Sequence, residues 1–455
     1  MPPFLTLGGM GAVDLDADVP VEVLIERSGA AVAREAVRML GGTYGRVVHV
    51  VAGPGNNGAD GRAAAARLRA RGVSVRIFAA ADCPEHLPPA DLVIDAAYGT
   101  GFRATWRPPD VGDTPVLAVD VPSGVDGLTG SVSGDVLRAD VTVTLAAAKP
   151  GLYLGAGRHL AGEVVVVDIG LDTSRATICR VEGHDVAGWL RPRSATSHKW
   201  TNAVRVVAGS PGMTGAAHLV AAAAQRSGAG IVHLSSPGID GDPPVEIVSR
   251  RLPGFDWDAP VLADLHRFSS LVIGPGLGRE DYSVPSVTRV VADAVVPVVV
   301  DGDGLFALSW NSDGAPVMLR SREVPTLLTP HDGEYALLTG SPPGADRVLA
   351  TRRLAADTGA VVLLKGPITV IAEPQGRVRL VTDGDERLAT AGSGDVLSGI
   401  VGALLGSGMS VFDAAAAGAW IHAAVGRTTA PWSTVASDLL AALPEVFASL
   451  STDRS

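Results

Sequence analysis

The chain is dominated by short runs of branched apolar residues that end in glycine or aspartate, and these runs limit the folds open to it. RVVHVVAG (46–53), DLVIDAAYG, PVLAVDVPSG, DVTVTLAAA and EVVVVDIG come first, followed later by AVRVVAGS, SLVIGPGLG, PVVVDGDG and AVVLLKGPITVIAEP. They are apolar throughout rather than alternating, so each strand is expected to be buried on both faces, the condition of a parallel sheet. Between several of them lie alanine-rich stretches with helical spacing, such as ADGRAAAARLRARG (59–72) and TGAAHLVAAAAQRSG. Strands and helices in alternation predict an α/β architecture with crossover helices over the sheet. AVVLLKGPITVIAEP reads instead as a pair of strands.

A length of 455 residues exceeds one ordinary core and predicts more than one domain. The pattern breaks over LDTSRATICRVEGHDVAGWLRPRSATSHKWTN (171–202), which is polar and poor in period, and then restarts. The boundary is placed between about residues 175 and 195, giving domains at 1–180 and 195–455, neither a copy of the other. Hydrophobic content of 47% with 19% charged residues fits a folded, soluble chain. A net charge of -11 argues against nucleic acid or an anionic membrane as the main partner. Cys83 and Cys179 have no metal-type spacing, and neither a leader pattern nor a membrane-length apolar run is present. The expected location is the cytoplasm.

Two glycine-rich turns carry carboxylates. GPGNNGADG (53–61) leaves a strand and enters a helix, so its backbone N–H groups and the helix dipole favour a phosphate, although it is neither a GxGxxG nor a P-loop motif. Alone it is equally a tight turn. Asp95, Asp120 and Lys149 lie at the ends of three later strands, which in a parallel sheet gather along one crevice. Asp120, between an apolar run and Pro-Ser-Gly, is placed to act as acid or base. Asn57, Asp95 and Ser123 are hard oxygen donors from three loops that could jointly hold a cation. In AGSGDVLSG (391–399), a Gly-Ser-Gly turn opens a helix with Asp395 in its first turn. Amides there stabilise an anion while a carboxylate takes a proton from a hydroxyl, the arrangement that phosphoryl transfer needs.

GPGNNGADG, DAAYGTG, VDVPSGVDG and AAKPG, in that order over roughly residues 20 to 170, resemble the NAD(P)H-hydrate epimerase family. The resemblance implies a Rossmann-like doubly wound sheet with Asp120 as the catalytic carboxylate. It implies substrate contacts at Asn56, Asn57, Gly58, Ala59 and Asp60, at Gly99, Thr100, Gly101, Phe102, Arg103, Ala104 and Thr105, and at Asp120 itself. It also implies K+ bound by Asn57, Asp95 and Ser123. Ala59 stands where that family usually has glycine, and the arm before about residue 20 is unlike its usual opening helix.

GPGLG (274–278), TPHDGE (329–334), LKGPITVI (364–371) and AGSGDVLSG, with SHKW, VAGSPGMTGAAHL and RSGAGIVHL ahead of them, resemble the ADP-dependent NAD(P)H-hydrate dehydratases, which have a ribokinase-like fold. Substrate contacts are thereby implied at Ala217, Gly276, His331 and Asp395, the last also being the catalytic base. Adenine-nucleotide contacts are implied at Lys365, Gly366, Pro367, Ile368, Thr369 and Gly394. Trp200 and Met213 depart from the family pattern near the expected pocket floor. Taken together the resemblances imply a homo-oligomeric bifunctional enzyme. It would epimerise the R and S hydrates of NADH and NADPH (NADHX and NADPHX) and dehydrate the S epimer with ADP and Mg2+, giving AMP and phosphate. The alternatives are a ribokinase-like small-molecule kinase that releases a stable phosphorylated product, and a scaffold that binds a nucleotide-like ligand or RNA without turnover.

Overall fold

Five of the apolar runs and one further strand, Ser74–Ala79, form one sheet, β1 (Val47–Ala52), β2 (Ser74–Ala79), β3 (Leu92–Ala96), β4 (Val116–Val119), β5 (Val141–Leu145) and β6 (Glu163–Val167), in a computed structural model of the chain. The structure describes residues 1–6, 19–101, 106–239, 243–280, 283–310 and 314–452. The chain divides into two compact units, one of Pro2–Cys179 and one of Arg180–Ser455 together with Met1.

In the first unit the strand order is β2-β1-β3-β4-β5-β6 and every pairing is parallel. Helices α1 (Val21–Leu40) and α2 (Asn56–Ala70) cover one face, where Val32, Ala36, Ala64 and Leu68 meet Val48, Val50, Ile94 and Leu117. On the other face Val51, Val93 and Ala118 lie beneath Trp106, Leu137 and Ala139, which come from segments between strands. Both faces are therefore dry over β1, β3, β4 and β5, whereas the edge strands β2 and β6 are partly exposed, because each has a neighbour on one side only. Gly61 fixes how closely α2 approaches the sheet, since a Cβ there would stand 2.5 Å from that of Ala96. The helix begins at Asn56, with Gly55 as its extended N-cap, three residues earlier than the composition of ADGRAAAARLRARG indicates. Asn-Asn-Gly has turn chemistry, but here it supplies the first helical turn.

The second unit contains β7 (Ala203–Val207), β8 (Ile231–Ser235), β9 (Val248–Ser249), β10 (Ser270–Ile273), β11 (Val298–Val300), β12 (Thr326–Leu328), β13 (Val361–Leu364), β14 (Thr369–Ala372) and β15 (Val378–Val381). Their order is β15-β14-β13-β12-β11-β10-β7-β8-β9. Pairing is parallel from β9 through β13 and antiparallel at β14 and β15. The switch occurs where residues 365–368 join β13 to β14, because so short a link can only fold a strand back on itself.

Helices α3 (Thr214–Arg226), α4 (Asp332–Thr339), α5 (Ser393–Gly406), α6 (Val411–Thr428) and α7 (Ala436–Thr452) belong to the same unit. Helix α5 is apolar nearly all round, as a helix enclosed by sheet and other helices must be. Val396, Ile400 and Val401 share a core with Val204, Val272, Val220 and the alanines of α6. Among the described residues no helix is long and apolar enough to cross a membrane.

Candidate active sites

In the first unit β1 is flanked by β2 and β3, so the chain runs to opposite sides of β1, and a crevice opens beyond the carboxyl ends of β1 and β3. An open cleft of about 820 Å³ lies there. Asn56, Asn57, Asp60, Gly99, Thr100, Gly101 and Asp120 all line it. No side chain caps α2, which leaves its first amides free for an anion. Gly58 packs against the backbone of Gly53 and Ala59 lies beside it in the same turn, and neither is on the cleft wall. Phe102, Arg103, Ala104 and Thr105 lie outside the described residues.

Asp120 follows β4 with φ of 68°, a left-handed backbone rare outside glycine, asparagine and aspartate. Its Oδ1 forms an ion pair with the Lys149 ammonium, which also donates to Thr144 Oγ1 (3.1 Å) and Leu145 O (2.8 Å). Lys149 is 1% exposed. Gly99 lies opposite, its Cβ position 3.6 Å from Asp120 Oδ2 and from the Asn57 side chain. Asp60 is buried, and burial raises its carboxyl to about 7, helped by nearby Asp120 and opposed by a Ser28 hydrogen bond and by Lys149.

Asp95 and Ser123 are both wholly buried and bonded to each other: Ser123 Oγ donates to Asp95 Oδ1 at 2.6 Å and Ser123 N to Oδ2 at 2.8 Å. Burial pushes the Asp95 carboxyl up, with the Ser123 and Ala97 hydrogen bonds opposing it. Both polar atoms of the Asn57 side chain are buried without a partner. An orphaned buried amide oxygen is the kind of donor that suits a hard monovalent cation. A third cluster, Glu182, His184 and Asp185, has ligand-type spacing but lies outside both sites, and Asp185 already accepts from the Met1 ammonium at 2.8 Å.

The second site gathers at the carboxyl ends of β7 and β10 to β13. Gly392, with φ of 86°, is the N-cap of α5 and provides no side chain, so the amides that follow are free of a cap. Asp395 stands in the first turn, raised to about 7 first by burial and then by Asp301, with Lys365 opposing and Asp303 and Glu334 adding to it. Lys365, just past β13, lies 2.8 Å from Asp301 Oδ1 and 3.4 Å from Glu334 Oε2. Burial alone would lower the Lys365 ammonium, but Asp301 and Glu334 outweigh it and hold it raised. Burial would likewise raise Asp301, and Lys365 with Ser398 holds it low instead. Gly394 sits over this pair, its Cβ position 3.6 Å from Lys365 Nζ.

His331 caps α4: its Nδ1 accepts from the amides of Gly333 (3.0 Å) and Glu334 (3.2 Å), while the His331 amide donates to Glu334 Oε2 (2.8 Å). The proposed substrate histidine is thus also the structural tie to Glu334, and its ring is exposed. Gly276, with φ of 61°, faces Ala216 and Met213, so it, α3 and Met213 form one wall. Ala217 is fully buried in α3. Lys365, Gly366 and Pro367 form the turn between β13 and β14, Ile368 faces the core and Thr369 opens β14. Trp200 lies away from this site, in an aromatic group with His233 and Phe268.

Several residues that surround Asp395 and the loop before it carry little mark in the sequence. Asp301, Glu334 and Ser398 converge only in space. His422, buried in α6, hydrogen-bonds the backbone of Ser393 in the anion loop and is lowered to about 4, chiefly by burial. The signal available for Asp301 was its place at the end of VVV in PVVVDGDG, the position Asp120 holds after its own strand.

Comparison with known proteins agrees with both halves. The NAD(P)H-hydrate dehydratase family model matches residues 204–445, and that of the YjeF-related protein N-terminus matches 21–87 and 79–151. The bifunctional NAD(P)H-hydrate repair enzyme Nnr of Mycobacterium tuberculosis is 38% identical over 435 residues, covering 88% of each chain. The enzyme of that name from Moorella thermoacetica is 35% identical and covers 98% of this chain and 97% of its own. Among solved structures, the ADP/ATP-dependent NAD(P)H-hydrate dehydratase of Bacillus subtilis, co-crystallised with ATP/Mg2+, superposes with a TM-score of 0.51 at 29% identity, covering 59% of this chain and 97% of that one. Similarity of this extent, across two sites that each set a carboxylate beside an uncapped helix start, makes the chain a member of the bifunctional NAD(P)H-hydrate repair enzyme family.

Proposed function

We propose that the chain restores NADH and NADPH from their hydrates, the first unit interconverting the R and S epimers at C6 of the nicotinamide ring and the second dehydrating the S epimer with ADP. The observation that carries this reading is Asp395 in the first turn of an uncapped helix, beside Lys365. The relatives' shared activity supplies the substrate class.

In the second unit Asp395 removes the proton from the C6 hydroxyl as its oxygen bonds to the β-phosphorus of ADP, and the bond from that phosphorus to AMP breaks. The amides after Gly392 stabilise the charge on the phosphoryl oxygens. Lys365 is placed to meet the nucleotide phosphates. The C6–O bond then breaks with phosphate leaving, the ring nitrogen's lone pair assists, and loss of the C5 proton restores the dihydropyridine. Mg2+ bound to the nucleotide would neutralise phosphate charge. Asp301 and Glu334 are already engaged by Lys365, which supports a dication carried by the nucleotide rather than by a protein cage.

In the first unit the free amides of α2 receive the diphosphate and Asp120 handles protons at C6. Asn57, Asp95 and Ser123 would hold K+, whose charge would support binding of the anionic substrate. The orphaned Asn57 amide supports that assignment.

The test uses racemic hydrate with ADP or ATP, following absorbance at the NADH wavelength and release of AMP and phosphate. Asp120→Asn should leave the R epimer unconverted while S is dehydrated, and Asp395→Asn should do the reverse. A folded single variant that lost both activities would overturn the division of labour, and a stable phosphorylated product would replace it with a kinase.

A further inference from the structure

We propose that the first unit inverts C6 with two carboxyl groups, Asp60 protonating the departing hydroxyl and Asp120 accepting a proton from the incoming water. This rests on reading that unit as the epimerase.

Inversion at one carbon involves both faces of the ring, because the hydroxyl leaves from one and water arrives at the other. A single anchored carboxylate serves one face. Asp120 is anchored: its backbone is left-handed and its Oδ1 is held by Lys149, itself fixed by Thr144 and Leu145 O. The cleft holds a second carboxyl, that of Asp60, which comes from α2 whereas Asp120 follows β4. It is 6% exposed yet contributes to the cleft lining.

The surroundings of the two groups differ in the way an acid and a base require. Asp120 has a buried ammonium as partner. Asp60 has a hydroxyl, Ser28 of α1, and burial together with Asp120 raises it to about 7. The other charged groups nearby are committed: Arg62 of α2 donates to Gly53 O at 2.8 Å, and Asp95 of β3 is bound to Ser123. A carboxyl so placed carries a proton near neutrality and can give it up.

Asp60 gives its proton to the C6 hydroxyl, the C6–O bond breaks with its electron pair leaving on water, and the lone pair of N1 forms the iminium. A second water then bonds to C6 from the opposite face, the electron pair returns to N1, and that water's proton passes to Asp120. The net change is one proton moved from Asp60 to Asp120. The S-to-R direction uses the same groups in the opposite states, and exchange with solvent resets them.

The experiment measures R-to-S conversion chromatographically in the full chain without ADP, so that the dehydratase is silent, and subtracts the uncatalysed rate. The pH is varied from 5.5 to 9. S-hydrate dehydration with ADP is assayed separately. Wild type should lose kcat/KM as pH rises through about 7, because the acid must be protonated. Asp60→Asn should lower kcat about 100-fold or more with little change in KM, and should abolish that alkaline limb. Asp60→Glu should retain the limb. Ser28→Ala keeps the carboxyl but removes the hydrogen bond that lowers it, so the limb should move to higher pH. The proposal is overturned if Asp60→Asn keeps the limb, stays within tenfold of wild type or loses only KM. It is also overturned if Ser28→Ala leaves the limb in place, a result independent of whether Asp60→Asn folds. A wild type that dehydrates S hydrate but never interconverts the epimers would instead overturn the epimerase reading beneath it.

Discussion

Lys365 Nζ lies 2.8 Å from Asp301 Oδ1, and Ser398 Oγ of α5 donates to the other oxygen of the same carboxylate at 2.7 Å. One buried aspartate thus ties the β13–β14 turn, which should meet the nucleotide, to the helix whose first turn holds Asp395. Asp301 is 3% exposed, so water cannot replace either partner.

Lys365→Met leaves that carboxylate buried without a counter-charge, which costs about 3–5 kcal/mol. The double variant with Asp301→Asn should recover much of the loss. Denaturant unfolding of the full chain, reading the transition that ADP shifts, measures both. Equal destabilisation of the single and double variants would show that the ion pair does not carry this part of the fold.

Dehydration should follow the ionisation of Asp395. A base is active when ionised, so kcat/KM for S hydrate should rise with pH to a plateau through about 7. Asp395→Asn should lower it about 100- to 10,000-fold and flatten the profile. The stability effect has the opposite sense: a carboxyl raised in the folded state costs stability increasingly as pH climbs from its ordinary value toward 7. Asp395→Asn should therefore be more stabilising at pH 8 than at pH 5 in paired thermal scans.

Gly399 lets α5 lie against α3, since a Cβ there would stand 2.3 Å from Val220 O and 2.6 Å from the Ala223 methyl. Gly399→Ala must separate the helices, at about 1–3 kcal/mol. Because α5 begins at the anion loop, KM for ADP should rise while R-to-S conversion is unchanged. Unchanged ADP kinetics with reduced stability would show that the loop is held from elsewhere.

The interior strands were legible because burial on both faces makes them mostly branched and apolar, with a few buried polar side chains such as His49, Thr142 and Arg205 among them, whereas the edge strands β2 and β6 are partly exposed. Val47–Ala52 and Val361–Leu364 lie within runs plain in the sequence. The start of α2 was not, because Asn56-Asn57-Gly58 has the same composition in a turn and in a first helical turn. Asp120 and Asp395 could be picked out by their place beside glycine-rich turns. Asp301 and Lys365 could not be paired, since 64 residues separate them and only the adjacency of β11, β12 and β13 brings them together. Asp60 was read as a contact within a phosphate loop, and its proton chemistry emerges only from Ser28, Asp120 and the depth of the cleft.

The left-handed backbone at Asp120 gives that position two separate constraints, one chemical and one conformational. Asparagine and glycine adopt such a backbone readily, whereas other side chains incur about 1–2 kcal/mol of strain. In an exhaustive substitution library the position would therefore sort into three classes. Aspartate alone would function; every other residue would leave the buried Lys149 ammonium without its carboxylate, and among these inert variants asparagine and glycine would be the less scarce, the remainder the scarcest.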